Sequence, residues 1–284
     1  MKTRKYAAML AAALLFAAVF ASAEEKCTES YGTGKNTFTL ATGSPGELGL
    51  LKVLGETFGK EAGAMLCWVK AGSGESLKLL KDRKVDMIMV HAPDAVKKAI
   101  AEGWAANRLL IGSNEFFIVG PAADPAGIAK TKTAAEAYAA IANAKAKFFS
   151  RGDNSGTHKK EMDVWKKAGI APAGAWYIVT KDFMTATLKR ADAEKGYFMT
   201  DSSTWVAEKK NVPNLTILFQ GDKFLVNTYH TLSQPAGATA GAATAAEFIT
   251  FVSSPAGQKI IAEFGTSAHG AGLYNDAAYA KKFD

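Results

Sequence analysis

The order of apolar segments from residue 36 onward constrains the fold more than any other feature of the sequence. Residues 37–41 (TFTLA), 65–69 and 86–90 (DMIMV) are short and apolar, which is typical of buried strands. Between the first two, apolar residues recur at helical spacing within residues 50–58. Strands that alternate with helices in this way predict a parallel sheet with helices on both faces.

The same alternation returns after a connecting segment at residues 121–130. We therefore expect two α/β lobes, the first formed by residues 24–120 with 225–284 and the second by residues 121–224. The other predicted strands are 116–119, 148–150, 196–199, 215–219 and 224–226. The other predicted helices span about 93–102, 134–144, 156–168, 242–251 and 257–264. A further helix contains Leu77 and Leu80, and another begins near Met184.

The first 23 residues have the pattern of a cleaved secretory signal peptide. Basic residues occur within positions 2–5, positions 6–20 are apolar, and positions 21–23 (ASA) fit the cleavage rule. The apolar run is shorter than the roughly 20 residues that cross a bilayer, which disfavours the alternative of a retained N-terminal anchor. We expect export to the periplasm.

Charge and cysteine content restrict the function further. The net charge of +7 falls to +4 when the three basic residues of the leader are removed. This mild excess does not favour nucleic-acid binding, which needs a concentrated basic face, but it suits an anionic ligand. The chain has two cysteines, Cys27 and Cys67, which we expect to pair in an oxidising compartment. Free thiols or a metal pair are the alternatives, and the lack of a neighbouring histidine disfavours the metal.

Three loops rich in small residues follow predicted strands and precede predicted helices: 42–44 (TGS), 72–74 (GSG) and 150–157 (SRGDNSGT). Unpaired N–H groups at a helix start attract anions, and glycine lets an anion approach the backbone. Such loops also serve capping alone, but three of them on both expected lobes favour an anion site. The candidate hydroxyl donors are Thr42, Ser44, Ser73, Ser155 and Thr157.

Several charged or titratable residues near these loops leave alternatives open. Arg151 carries a fixed charge on a rigid fork of donors, and it either points into the cleft or pairs with Asp153 or a neighbouring helix. His158 and Glu161 have the spacing of half a metal site, but the other half is missing, so we expect no metal. His91 follows an apolar strand and either reaches the cleft or braces a turn, and we expect the brace.

Catalysis has little support in the sequence. It contains no G-x-S-x-G motif, Walker loop, dinucleotide fingerprint or H-E-x-x-H motif. We therefore expect no enzyme activity and no cofactor, and a periplasmic hydrolase is the least favoured hypothesis. Trp165, Trp176 and Tyr177 are expected in the core of the second lobe.

Residues 150–161 (SRGDNSGTHKKE) and 165–170 (WKKAGI) closely resemble the signature segment of periplasmic tungstate-binding proteins of ABC importers. The resemblance implies a two-lobed type II periplasmic-binding fold that holds tungstate, and often molybdate, through hydrogen bonds without a metal cofactor. It also implies delivery to an ABC permease in the inner membrane, and we expect a monomer. Supporting matches occur in order at 86–93 (DMIMVHAP), 114–128 (NEFFIVGPAADPAGI), 175–177 (AWY), 198–201 (FMTD) and 254–258 (SPAGQ).

The sequence departs from this family around the expected binding site. Residues 41–44 (ATGS) and Pro45 stand where the family has a Thr-Thr-Thr-Ser run, so two hydroxyl groups are lost. The second loop is Gly-Ser-Gly where the family has Gly-Thr-Gly, and Glu75 follows it. A Gly-Gln-Gly-Met segment corresponds to residues 181–184 (KDFM), and an Asn-Pro-Tyr-Gly turn to residues 227–230 (NTYH).

The resemblance carries over best to Arg151, Ser155 and Thr157 as anion donors, and less closely to Thr42, Ser44 and Ser73. An unpaired carboxylate beside a dianion is costly, so Glu75 supports an alternative in which the same fold binds an organic acid or another metabolite. His230 is a second sign of such a change. A sensory or interaction protein that uses the fold is a further alternative.

Overall fold

A mixed eleven-stranded sheet forms the centre of the protein, which we describe from a computed structural model covering residues 26–284. The expected signal peptide, residues 1–23, lies outside this range. The strands are β1 (Glu29–Tyr31), β2 (Asn36–Thr42), β3 (Ala64–Lys70), β4 (Met87–Val90), β5 (Ala106–Pro121), β6 (Phe148–Ser150), β7 (Tyr177–Val179), β8 (Tyr197–Asp201), β9 (Leu215–Phe219), β10 (Val226–Ser233) and β11 (Asn275–Asp276).

The helices follow the strands closely along the chain, and most of the long ones match the predicted spans. They are α1 (Ser44–Glu47), α2 (Leu50–Ala62), α3 (Ser73–Lys81), α4 (Pro93–Ala101), α5 (Ala134–Ala144), α6 (Gly156–Lys167), α7 (Met184–Ala193), α8 (Ser202–Glu208), α9 (Ala242–Ser253), α10 (Pro255–Glu263), α11 (Thr266–His269) and α12 (Ala277–Ala280), with 3-10 turns at Ile128–Lys130, Lys209–Asn211 and Lys223–Leu225.

Local sequence explains where the helices begin and end. In α2 the apolar face is buried, and the helix stops at Gly63, whose φ of 60° suits glycine. The hydroxyl of Thr133 accepts a hydrogen bond from the Glu136 amide at the start of α5, and Glu136 accepts one from the Lys132 amide. The predicted strand at 224–226 is wrong for its first residues, because Asp222 accepts a hydrogen bond from the Phe224 amide and holds a 3-10 turn there.

The sheet is parallel only in its two flanks. Strand β2 pairs in parallel with β3 and β4, and β6 pairs in parallel with β7 and β8. Between the flanks, β10 and the 16-residue β5 pair antiparallel to each other and to their other neighbours. The prediction of a parallel sheet is therefore wrong at the centre, where β5 and β10 connect the flanks and run antiparallel to each other.

Buried apolar side chains form separate groups on either side of this central pair of strands. One group comes entirely from residues 116–225 and includes Trp165, with Trp176 and Tyr177 packed against it. A second group comes from residues 31–111 and 229–274, and a third from residues 41–105 with Leu232. The three aromatic residues therefore lie where the sequence predicted them, in or against the core of the 116–225 segment.

The Cys27–Cys67 disulfide is formed, as predicted. It connects the segment that precedes β1 with strand β3, and β1 and β3 also pair with each other in antiparallel orientation. In the chain-entropy account, closing a loop of this length stabilises the fold by about 3–4 kcal/mol. None of the helices between residues 26 and 284 has the length and apolarity that a membrane span requires.

Candidate functional site

A small cavity lies where the carboxyl ends of strands from both flanks of the sheet meet. Thr42 ends β2, Ser73 follows β3, His91 follows β4, and Arg151 follows β6. Five of the six predicted site residues line this cavity, which is a common place for ligands in open α/β sheets. The lining consists of Thr42, Gly43, Ser44, Pro45, Gly72, Ser73, Met89, His91, Arg151, Ser155 and Tyr229.

The hydroxyl groups in the lining differ in what they can offer a ligand. Thr42 donates its O–H to the carbonyl of Met89 at 2.9 Å, so it has no proton left for an anion. Ser73 accepts a hydrogen bond from the His91 amide at 3.4 Å, and Ser155 accepts one from the His158 amide at 3.2 Å. Because both serines are acceptors in these bonds, their O–H groups remain available as donors.

Arg151 satisfies both alternatives that the sequence left open. It lines the cavity, is only 4% exposed, and directs Nε and Nη2 toward Oδ2 of Asp153 at 3.1 and 2.5 Å. The other carboxylate oxygen of Asp153 accepts the Ser155 amide at 3.1 Å, while Ser155 itself caps α6. Asp153 therefore orients both the guanidinium group and the start of the helix. The remaining nitrogen of the guanidinium group, Nη1, has no hydrogen-bond partner within residues 26–284.

His91 lines the cavity, although the sequence favoured a turn brace over a place in the cleft. Its ring centroid lies 5.1 Å from that of Tyr229 and 6.0 Å from that of Phe116. Burial, and secondarily the charge of Arg151, lowers the pKa of His91 to about 3, so the ring is neutral at physiological pH. Nδ1 is buried and has no partner in the described part of the chain. The sequence signal for a place in the cavity was that His91, like Arg151, comes directly after a buried strand.

Three residues singled out in the sequence lie away from the cavity. Thr157 is buried in the first turn of α6 and is absent from the lining, so it is not grouped with the other five candidates. Glu75 is exposed on α3, and His230 lies 2.9 Å from Oδ1 of Asp284 in a separate charged cluster. The two residues that suggested a changed binding site therefore do not reach it.

The two sides of the cavity approach each other so closely at Gly156 and Gly74 that neither position has room for a side chain. A Cβ atom on Gly156, at the start of α6, would lie 2.3 Å from Cε1 of His91. A Cβ atom on Gly74, in the first turn of α3, would lie 2.6 Å from the carbonyl oxygen of Asn154. These glycines are required by close approach, since any side chain there would push the two sides apart.

The two residues with the spacing of half a metal site, His158 and Glu161, make hydrogen bonds to different parts of the protein. Nδ1 of His158 accepts the Asn154 amide at 3.0 Å, while Glu161 turns into the core and accepts hydrogen bonds from Tyr177 and Trp165 at 2.6 and 3.2 Å. Across residues 26–284, no three His, Cys, Asp or Glu side chains are arranged to hold a metal ion. Burial raises the pKa of Glu161 to about 7.

This raised pKa makes stability depend on pH. An acid whose pKa rises from 4.5 to about 7 on folding stabilises the protein fully below pH 4.5, and that contribution disappears as the pH rises through 7. Glu161→Gln keeps the accepting oxygen and removes the charge. We expect urea unfolding to show similar stabilities at pH 4.5, and a variant more stable by roughly 2–3 kcal/mol at pH 8.

The matched control is Glu56→Gln, at a carboxylate that is 48% exposed on α2. It should follow the wild-type protein at both pH values. If Glu161→Gln also does so, Glu161 does not change its protonation on folding.

Sequence comparison identifies the family. A protein family described as the PBP superfamily domain matches residues 28–256, which is most of the chain. The chain belongs to the PBP superfamily. The predicted α/β fold of the periplasmic-binding type is thereby confirmed.

Individual relatives of this PBP-superfamily chain are named for binding or transport. The tungstate-binding protein TupA of Peptoclostridium acidaminophilum is 32% identical over 95% of each chain. A putative ABC transporter anion-binding protein of Haloferax volcanii is 35% identical over 87% of this chain and 74% of its own length. A solved structure described as the tungstate ABC transporter from Geobacter sulfurreducens is 38% identical, with a TM-score of 0.73, over 81% of this chain and all of that one. The resemblance seen in residues 150–170 is therefore confirmed.

Proposed function

We propose that this protein is a periplasmic receptor of an ABC importer that captures a small oxyanion, tungstate or molybdate, in the cavity between two lobes. The observation that carries the proposal is the convergence of one buried arginine with two serines whose O–H groups are free to donate. Charge-assisted hydrogen bonds from a guanidinium group to an anion are strong, and hydroxyl donors on the facing side add to them.

The proposed lobes are those expected from the sequence, residues 24–120 with 225–284 and residues 121–224. The separation of the buried apolar groups supports this division, although it favours a border within β5 slightly before residue 116. In the proposed mechanism the lobes close around the anion, and the closed complex docks as a monomer on a membrane permease.

The two sides of the cavity contribute unequally to anion binding in this proposal. On the first side, Gly43 and Pro45 line the cavity without hydroxyl groups, and the Thr42 hydroxyl is already used. Ser73 is the donor that remains best placed there, together with the Ser44 hydroxyl. Most of the attraction then comes from Arg151 and Ser155 on the other side.

A small carboxylate is the second candidate ligand. Pro45, Met89 and Tyr229 give the cavity an apolar wall near Arg151, which suits a short hydrocarbon group. The arginine would then bind the carboxylate, and the wall would contact the rest of the molecule.

A thermal-shift screen of the mature chain separates these candidates. A ligand present at 100 times its Kd stabilises the folded state by about 2.7 kcal/mol. For a chain of this size we expect tungstate or molybdate to raise the Tm by roughly 5 °C or more. Sulfate, phosphate, acetate and malate serve as comparisons. If neither metal oxyanion raises the Tm and a carboxylate does, the oxyanion assignment is wrong while the fold assignment stands.

A further inference from the structure

The ring of Phe183 lies beside Arg151, a lining residue of the cavity, and contacts cations from both sides of the cleft. The Nζ atom of Lys70 is 4.2 Å from the ring centroid, and the guanidinium carbon of Arg151 is 5.5 Å from it. Phe183 is half-buried and directly precedes α7. It belongs to residues 181–184, where the tungstate-binding family has a Gly-Gln-Gly-Met segment, so the ring is a departure from that pattern.

The contact continues beyond Lys70. Its ammonium group lies 2.7 Å from Oε1 of Glu47, on the short helix α1 that follows the first site loop. A continuous series of contacts therefore runs from Glu47 through Lys70 and Phe183 to Arg151. The first two residues belong to one proposed lobe and the last two to the other, so the series crosses the cleft.

We propose that Phe183 is a positioning residue that couples closure of the cleft to the orientation of Arg151 and so slows release of the bound anion. This inference rests on the proposed function. A cation over an aromatic face is attracted by the ring quadrupole, and the attraction is stronger where water is excluded. The Lys70 contact joins the two proposed lobes and so stabilises the closed arrangement, and its loss accelerates opening and leaves the association step nearly unchanged.

Phe224 provides a matched control within one lobe. Its ring also carries two ammonium groups, from Lys160 at 4.4 Å and Lys167 at 4.3 Å. Both lysines lie on α6, so these contacts do not cross the cleft. A substitution at Phe224 therefore removes the same type of interaction from contacts within one lobe, and Phe224 lies outside the lining of the cavity.

The test measures tungstate release by stopped-flow competition with excess molybdate for wild type, Phe183→Leu, Phe183→Tyr and Phe224→Leu. Leucine keeps apolar bulk and removes the ring, whereas tyrosine keeps the ring. We expect Phe183→Leu to release tungstate about 10-fold faster, with an association rate within about twofold of wild type. Phe183→Tyr and Phe224→Leu should release it at the wild-type rate.

Two outcomes overturn the inference: Phe183→Leu releases tungstate at the wild-type rate, or it and Phe224→Leu accelerate release equally. If the wild-type protein binds neither oxyanion, the proposed function has failed instead. The contact across the cleft is then tested by small-angle scattering on the ligand-free chain. A larger radius of gyration for Phe183→Leu alone supports the contact, and equal values for all variants overturn it.

Discussion

Replacing Arg151 with alanine is expected to abolish oxyanion binding, with a loss of at least about 100-fold in affinity, while the protein stays folded. Among residues 26–284, Arg151 is the only lysine or arginine in the lining of the cavity, and its guanidinium group is almost fully buried. Isothermal titration with tungstate measures the loss of affinity. Circular dichroism should show a folded chain, because Asp153 is partly exposed and keeps its bond to the Ser155 amide.

Arg190→Ala is the matched control for this substitution. Arg190 lies on α7, is 45% exposed, and pairs with Glu194 one turn away. Its loss should leave tungstate affinity unchanged. Arg151→Lys adds a second comparison, since it keeps the charge but removes the planar fork of donors, and we expect an intermediate affinity. Wild-type affinity in Arg151→Ala would place the anion somewhere else.

Gly74→Ala is expected to lower tungstate affinity by about 100-fold without destabilising the ligand-free protein. The new methyl group would lie 2.6 Å from the Asn154 carbonyl oxygen and 2.9 Å from its Nδ2, so the two sides of the cavity could not approach fully. In the open form the same change should stabilise α3, because alanine is favoured over glycine in a helix by about 1 kcal/mol. Tungstate affinity measured by titration should therefore fall, while the Tm of the ligand-free protein should rise.

Glu75→Ala is the control for Gly74→Ala, because it makes a new alanine at the next position of the same helical turn. Glu75 is exposed and outside the cavity lining, so we expect wild-type affinity. If Gly74→Ala also binds as wild type does, the lobes of the complex do not approach as closely as this structure has them.

Local sequence patterns predicted much of the site because strand ends determine its position. Thr42 ends one strand of a parallel flank and Ser73 follows the neighbouring strand, and parallel strands end at the same edge of a sheet. Arg151 follows a strand of the other flank, which runs in the opposite direction and joins a different half of β5, so the carboxyl ends of the two flanks face each other. This reasoning brought together five of the six predicted residues without any knowledge of distances.

The same reasoning does not determine which way a side chain points. Thr157 lies in the first turn of α6, only two residues after Ser155, yet it is buried and absent from the lining of the cavity. Thr42 reaches the cavity but donates its proton to Met89, a partner on another strand. These outcomes depend on contacts between residues distant in sequence, which spacing does not reveal.

The central strands were the least predictable part of the fold. Strand β10 is almost wholly buried but rich in polar residues, so its hydropathy does not indicate a core strand. Its Asn227 donates to Asn114 on β5 at 2.8 Å, and Asn114 donates to Ser203 at 2.7 Å. Buried polar groups of this kind are stable only when paired, and their partners lie about 90 or more residues away.

The central claim is that a tetrahedral oxyanion binds between Ser73 on one side and Arg151 and Ser155 on the other. The most direct measurement is a crystal structure of the tungstate complex, with the metal located by its anomalous scattering. We predict one strong tungsten peak in this cavity, with oxyanion oxygens about 2.7–3.2 Å from the Arg151 guanidinium and the Ser155 hydroxyl. A tungsten peak elsewhere, or an organic acid in this cavity that tungstate does not displace, would contradict the claim.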